Sequence, residues 1–138
     1  MRIDLIKIEI YTDGACSGNP GIGAWAAVIF VDGDYSSDHV GFEKHTTNNR
    51  MELQAVIEGL SHVTYGGEVT LFSDSQYVIK TMTEGWRKRV NLDLWNLLDI
   101  QNRQLKVTWK WGKGHSGNYG NELANRFAQG LIKDITRE

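Results

Sequence analysis

The hydrophobic residues of this chain change period at Asn48, and that change limits the folds open to it. Before Asn48, Ile6, Ile8 and Ile10 alternate with Lys7, Glu9 and Tyr11, as in a strand whose pattern breaks at Asp13-Gly14. Residues 24–31, Ala-Trp-Ala-Ala-Val-Ile-Phe-Val, form a near-continuous apolar run closed by Asp32-Gly33-Asp34, and residues 39–44 fit a strand returning through that turn. Three antiparallel strands are expected. After Asn48 the spacing is helical: Glu52, Val56, Leu60 and Val63 follow one another by four, four and three, with Leu53 and Ile57 beside them. Residues 68–74 read as a short strand ending on Asp74, and Ser73 or Ser75 can cap a helix through Tyr77, Val78, Ile79 and Met82. Residues 92–100 fit a further helix. Leu105, Val107, Trp109 and Trp111 then alternate with Lys106, Thr108 and Lys110 as a strand, residues 112–120 form a loop, and a last helix buries Leu123, Ala124, Phe127 and Leu131. The order β-β-β-α-β-α-α-β-α predicts an α/β fold, a mixed sheet with helices on its faces.

A chain of 138 residues, 41% hydrophobic and 23% charged, is expected to form one domain over residues 1–138, with a core that needs no disulfide or structural metal. The single cysteine, Cys16, has no internal partner to bond with. No uncharged apolar run is long enough to span a bilayer, and Arg2, Asp4 and Lys7 stand where a signal peptide needs an apolar stretch. A cytoplasmic monomer without a membrane or an obligate protein partner is the expectation. A formal net charge of -2 first weighs against a polyanionic partner, but the sum hides an asymmetry. Residues 1–79 carry 4 basic and 11 acidic groups, whereas residues 80–113 carry 8 and 3.

Asp13 and Asp74 each end a predicted strand, and ligand sites in open α/β sheets lie at the carboxyl ends of strands. Glu52 falls on a core-facing helical stripe, where a carboxylate is costly unless a proton, a cation or a metal compensates it. For each acid alone an ordinary role suffices: Asp before Gly as a turn, Asp before Ser as a cap, Glu in a first helical turn as a partner of the macrodipole. Taken together they form a candidate site for a hard divalent cation such as Mg²⁺.

Four motifs add a resemblance that periodicity does not supply. Tyr-Thr-Asp-Gly-Ala-Cys-Ser-Gly-Asn-Pro-Gly at 11–21, Thr-Thr-Asn-Asn-Arg-Met-Glu-Leu at 46–53, Ser-Asp-Ser-Gln-Tyr-Val at 73–78, and Gly-His-Ser-Gly with Gly-Asn-Glu-Leu-Ala at 114–124 resemble type 1 ribonucleases H. The likeness covers nearly the whole chain in the family's order. It implies a ribonuclease H-like fold: a mixed five-stranded sheet, three antiparallel strands then two parallel ones, with helices on both faces. It also implies an endonuclease that cuts the RNA strand of an RNA/DNA hybrid, such as a replication primer or an R-loop. The family uses two Mg²⁺ ions, with Mn²⁺ as a substitute, and leaves 5′-phosphate and 3′-hydroxyl ends. Asp13, Glu52 and Asp74 match three of its four metal-binding carboxylates, and His115 matches a loop histidine that helps move protons or release product.

Two positions depart from the family's pattern. The fourth carboxylate, expected after Asn121-Glu122-Leu123-Ala124, is Asn125, whose amide oxygen can ligate a metal or hold a water but brings no charge. The basic, tryptophan-rich handle that bacterial members carry is cut short: Trp86-Arg87-Lys88-Arg89 runs almost directly into Val90-Asn91. Arg87, Lys88, Arg89 and Lys80 are candidates for phosphate contacts and Trp86 for packing on the backbone, while Trp95, Trp109 and Trp111 read as core. Asn19, Asn48 and Gln76 match positions that read the minor groove, where the 2′-hydroxyl distinguishes RNA from DNA. Thr47 and Asn91 match a pocket for a DNA-strand phosphate, and Cys16 and Ser17 match positions that act through backbone amides. Each of the neutral residues could equally be a turn former or a cap. An active enzyme is the favoured reading, with two alternatives: a relative acting on another phosphodiester, and a catalytically impaired hybrid-binding module that lacks the fourth charge.

Overall fold

The computed structural model describes residues 6–64, 66–112 and 119–137. Strands β1 (Ile8–Gly18), β2 (Gly21–Val31) and β3 (Asp34–Thr46) form an antiparallel meander, followed by helix α1 (Asn48–Leu60). Then come β4 (Glu68–Ser73), α2 (Gln76–Glu84), α3 (Leu92–Gln104), β5 (Lys106–Trp111) and α4 (Tyr119–Thr136), which is the element order expected from the sequence. The five strands lie in the order β3-β2-β1-β4-β5, and β4 runs parallel to both β1 and β5.

Alternation along β1 divides the core in two. Ile10, with Ile29 opposite it on β2, packs under Leu53, Val56 and Leu60 of α1, Val78 of α2, and Leu94, Trp95 and Leu98 of α3. Tyr11, with Val28 opposite, faces Ala124 of α4, and Ala15, Ala24 and Ala26 face Ala128 and Ile132. The buried stripe of α4 is therefore Ala124, Ala128 and Ile132, at intervals of four, while Leu123, Phe127 and Leu131 are only partly buried beside it. Alanine there lets the helix lie close to the sheet, and the larger side chains splay to its flanks.

Local capping sets the helix starts. The Thr47 hydroxyl accepts from the Arg50 amide at 3.3 Å to open α1, and the Ser75 hydroxyl accepts from the Val78 amide at 3.2 Å to open α2. Gly85, with φ +71, closes α2 in the left-handed region that a glycine enters at little cost.

Three expectations need correction. β1 does not break at Asp13-Gly14: it continues to Gly18, paired throughout with β2, because the hairpin partner supplies hydrogen bonds that the Asp-Gly pair cannot interrupt. Trp111 is not a core residue. It stands 46% exposed at the end of edge strand β5, whereas Trp95 is 1% exposed in the core, and Trp109 is half-buried. The third helix also runs past residue 100 to Gln104, and the Gln101 side chain there donates to the Ile57 carbonyl of α1 at 2.9 Å.

Candidate metal centre

The site forms where β1 outruns β4. Their pairing stops at Thr12 and Ser73, so the next β1 residue, Asp13, lies beside a gap that β4 has just left. Asp13 points to the α4 face, the same face as Tyr11 and Ala15. Glu52 arrives from the opposite face on the second turn of α1, and it comes close because residue 14 is glycine. A Cβ at Gly14 would collide with the main chain of Met51 and Glu52. Asp74 completes the group from the joint between β4 and α2.

One carboxylate oxygen from each of Asp13, Glu52 and Asp74 lies within 4.8 Å of the others. Asp13 is buried, Glu52 intermediate and Asp74 exposed, so the cluster runs from the interior to the surface. Burial, then the neighbouring Asp74, pushes the Asp13 carboxyl from its ordinary 3.8 up to about 7, against the pull of Asn125 and the Gly14 amide. Burial first, and the charges of Asp13 and Asp74 next, hold Glu52 well above the usual carboxylate range. Its Oε1 is buried without a hydrogen-bond partner among the described residues. A buried, unsatisfied carboxylate oxygen beside two further acids is a donor set suited to a hard divalent cation, which would replace the missing partner and cancel the repulsion.

Asn125 is on the second turn of α4 and donates from Nδ2 to Asp13 Oδ2 at 2.9 Å. It therefore does join the three acids, as a neutral donor that partly offsets the Asp13 charge. The cleft above them, about 370 Å³, is also lined by Cys16, Asn48 and Gln129. Gln129 has a single signal in the sequence, its spacing of four after Asn125 on the same helix.

The other candidate residues divide into groups. Asn19 and Asn48 meet, the Asn48 amide donating to Asn19 Oδ1 at 3.1 Å, which ties the β1–β2 turn to the start of α1. Gln76 is exposed at the start of α2. Thr47 and Asn91 are linked through Arg50, another residue to which the sequence reading gave no role. Its amide is capped by Thr47, and its guanidinium donates to Asn91 Oδ1 at 3.2 Å and forks onto Asp93 at 3.0 and 2.7 Å. Asn91 has a left-handed backbone, φ 58, and also donates to the Tyr77 hydroxyl at 3.2 Å. In the shortened handle Trp86 is 47% exposed under Lys80, whose Nζ lies 5.7 Å from the ring centre. Arg87 and Arg89 are exposed, but Lys88 turns inward to Asp99 at 3.0 Å and over Trp95. His115 lies outside the described residues.

Comparison with known proteins agrees with this geometry. A sequence profile of the family described as RNase H matches residues 6–133. A protein named Ribonuclease H from Pseudomonas entomophila (strain L48) is 45% identical over 142 residues, which cover 94% of this chain and 95% of that protein. Among solved structures, LC9-RNase H1, described as a type 1 RNase H with the type 2 active-site motif, superposes with a TM-score of 0.77 at 28% identity, covering 99% of this chain and 76% of that one. LC11-RNase H1, solved in complex with an RNA/DNA hybrid, superposes at 0.70 with 21% identity over 91% of this chain and 99% of that one, a likeness of fold.

Proposed function

This chain belongs to the RNase H family, and on that premise we propose that it hydrolyses the RNA strand of RNA/DNA hybrids with Mg²⁺, leaving 5′-phosphate and 3′-hydroxyl ends. It is a nuclease of a metal-dependent family, and the observation that carries the finer reading is the convergence of Asp13, Glu52 and Asp74 within 4.8 Å in an open cleft. Asp13, Glu52 and Asp74 hold the cations, with Asn125 as a neutral fourth ligand. A bound pair of divalent ions supplies activation of the attacking water and stabilisation of the leaving 3′-oxygen. Asn125 orients Asp13 in the protein by itself, through its 2.9 Å hydrogen bond. As a ligand Asn125 would offer its amide oxygen, since the amide nitrogen is a donor and cannot hold a cation. His115 is proposed to carry a proton away as product leaves.

Recognition is assigned to groups around the cleft. Asn19 and Asn48, joined by a hydrogen bond, and Gln76 are assigned the 2′-hydroxyl in the minor groove. Thr47 and Asn91 take a phosphate of the DNA strand, held in register by the Arg50 fork. Arg87 and Arg89 take further phosphates, with Trp86 beside the sugar backbone. Lys88 adds less, because Asp99 already neutralises it.

The decisive experiment incubates end-labelled RNA/DNA, RNA/RNA and DNA/DNA duplexes with the protein and either Mg²⁺ or Mn²⁺. Cleavage of the RNA strand in the hybrid alone, at internal positions and with 5′-phosphate products, is expected. Retardation of the hybrid without cleavage in either metal would leave a binding module in place of an enzyme. Cleavage appearing only in Asn125→Asp would identify the lost charge as the cause.

A further inference from the structure

We propose that Trp111 is a positioning residue for Asp74, acting through its indole N–H and not through burial. The inference rests on the reading of Asp74 as a cation ligand. Trp95 shows what a core tryptophan looks like in this fold: 1% exposed, in the main hydrophobic cluster, with its N–H on the Tyr77 hydroxyl at 2.9 Å. Trp111 is 46% exposed on an edge strand, so little apolar area is gained by keeping an indole there. Among the described residues its side chain makes a polar contact: Nε1 donates to the main-chain oxygen of Asp74 at 3.1 Å.

That oxygen occupies an awkward place. β4 ends at Ser73 and α2 begins at Gln76, and the first carbonyl taken into the helix is that of Ser75, from the Ile79 amide at 3.0 Å. The Asp74 carbonyl falls between the two ladders and needs a partner from elsewhere. The end of β5 and the residue after it supply two consecutive donors to the joint: the Trp111 indole to Asp74, and the Gly112 amide to the Ser73 carbonyl at 2.8 Å. Within the joint the Ser75 amide is held by the Ser73 hydroxyl at 3.1 Å. Together these bonds set the plane of the Asp74–Ser75 peptide, from which the Asp74 side chain takes its direction. Asp13 is fixed by pairing with β2 and Glu52 by the length of α1, whereas Asp74 is the exposed member of the cluster, on a two-residue joint. Partners one step behind metal ligands typically change metal affinity by 10- to 100-fold when removed.

Trp111→Phe keeps a ring and deletes the donor. The Mg²⁺ affinity of the hybrid-free protein, measured by calorimetry, should fall about tenfold. Cleavage should lose kcat with KM for the hybrid unchanged, and the metal-free Tm should stay within about 2 °C. In the wild type, the Trp111 indole proton should exchange with solvent more slowly than that of Trp86, although both rings are exposed. Trp109→Phe, whose N–H is bonded to Asn102 at 3.3 Å, is the control and should leave Mg²⁺ affinity unaltered. Unchanged Mg²⁺ affinity in Trp111→Phe overturns the proposal, as does an equal loss in Trp109→Phe or a wild type that binds no Mg²⁺. A defect confined to KM also overturns it, making the ring a platform for substrate. If the wild type binds Mg²⁺ and yet cuts no hybrid, the function proposed above fails while the calorimetry still decides the role of Trp111.

Discussion

The acidic cluster and the basic connector between α2 and α3 are built on opposite electrostatic principles. At the cluster, the fold forces like charges together: a strand, a helix and a joint, each fixed by the core, bring three carboxylates within 4.8 Å and leave a Glu52 oxygen unsatisfied. At the connector, charges are either exposed, as in Arg87 and Arg89, or already neutralised, as in Lys88 with Asp99. The first region holds unfavourable energy that a cation can release. The second stores little, so its contribution is screened and depends on salt.

Asp13→Asn breaks the comparison most severely. Cleavage should fall by on the order of 10³-fold, the loss of several kcal/mol of transition-state stabilisation. The same change should stabilise the metal-free protein. With its folded pKa raised from 3.8 to about 7, Asp13 is neutral at low pH and costs stability once ionised, so metal-free wild type should weaken as pH rises from about 4 to about 7. Asp13→Asn should make that slope shallower, leaving the part due to Glu52, and gain on the order of 2–4 kcal/mol at pH 8, read by urea denaturation in EDTA. A metal-free wild type that grows more stable over that interval would show the cluster to be unstrained.

Asn125→Asp sharpens the comparison by adding a fourth charge. Metal affinity should rise by about tenfold, or about 1.4 kcal/mol, while metal-free stability falls by roughly 1–2 kcal/mol because the new carboxylate repels Asp13 in place of donating to it. Calorimetry and denaturation together test both signs, and a gain in affinity with no loss of metal-free stability would contradict the repulsion argument. The smallest effect belongs to the connector. Replacing Arg87 and Arg89 with Ala should weaken hybrid binding several-fold and make the slope of log K against log salt shallower by about 0.9 per lost contact. Lys88→Ala should change that slope less, and equal slopes for all three lysine and arginine variants would remove the distinction drawn from the Asp99 pair.

Much of the candidate site is legible in the sequence, because its acids stand out from local pattern. Glu52 stood out as a charge on an apolar stripe, and Asp74 as an acid at a strand end, and both are in the cluster. Asp13 also lies in the cluster, but not as the strand end that its Asp-Gly pair suggests. It sits mid-strand, and what ends beside it is the neighbouring β4. Trp111 was misread for a related reason: alternation separates one face of a strand from the other, but cannot tell whether a helix covers that face. Arg50 and Gln129 went unassigned because their partners, Asn91 with Asp93 and the cleft itself, are distant in the chain.

The sequence by itself determined the element order, the Asp32-Gly33 turn, the cap of α2 and the identity of the acids, since each depends on interactions within a few residues. Only the tertiary structure decided which strand outruns its neighbour, how closely α1 passes over Gly14, and that an indole on β5 reaches the Asp74 carbonyl. Those features depend on registers and distances between segments far apart in the chain, where hydrogen-bond pairing and close packing, and not local propensity, set the outcome.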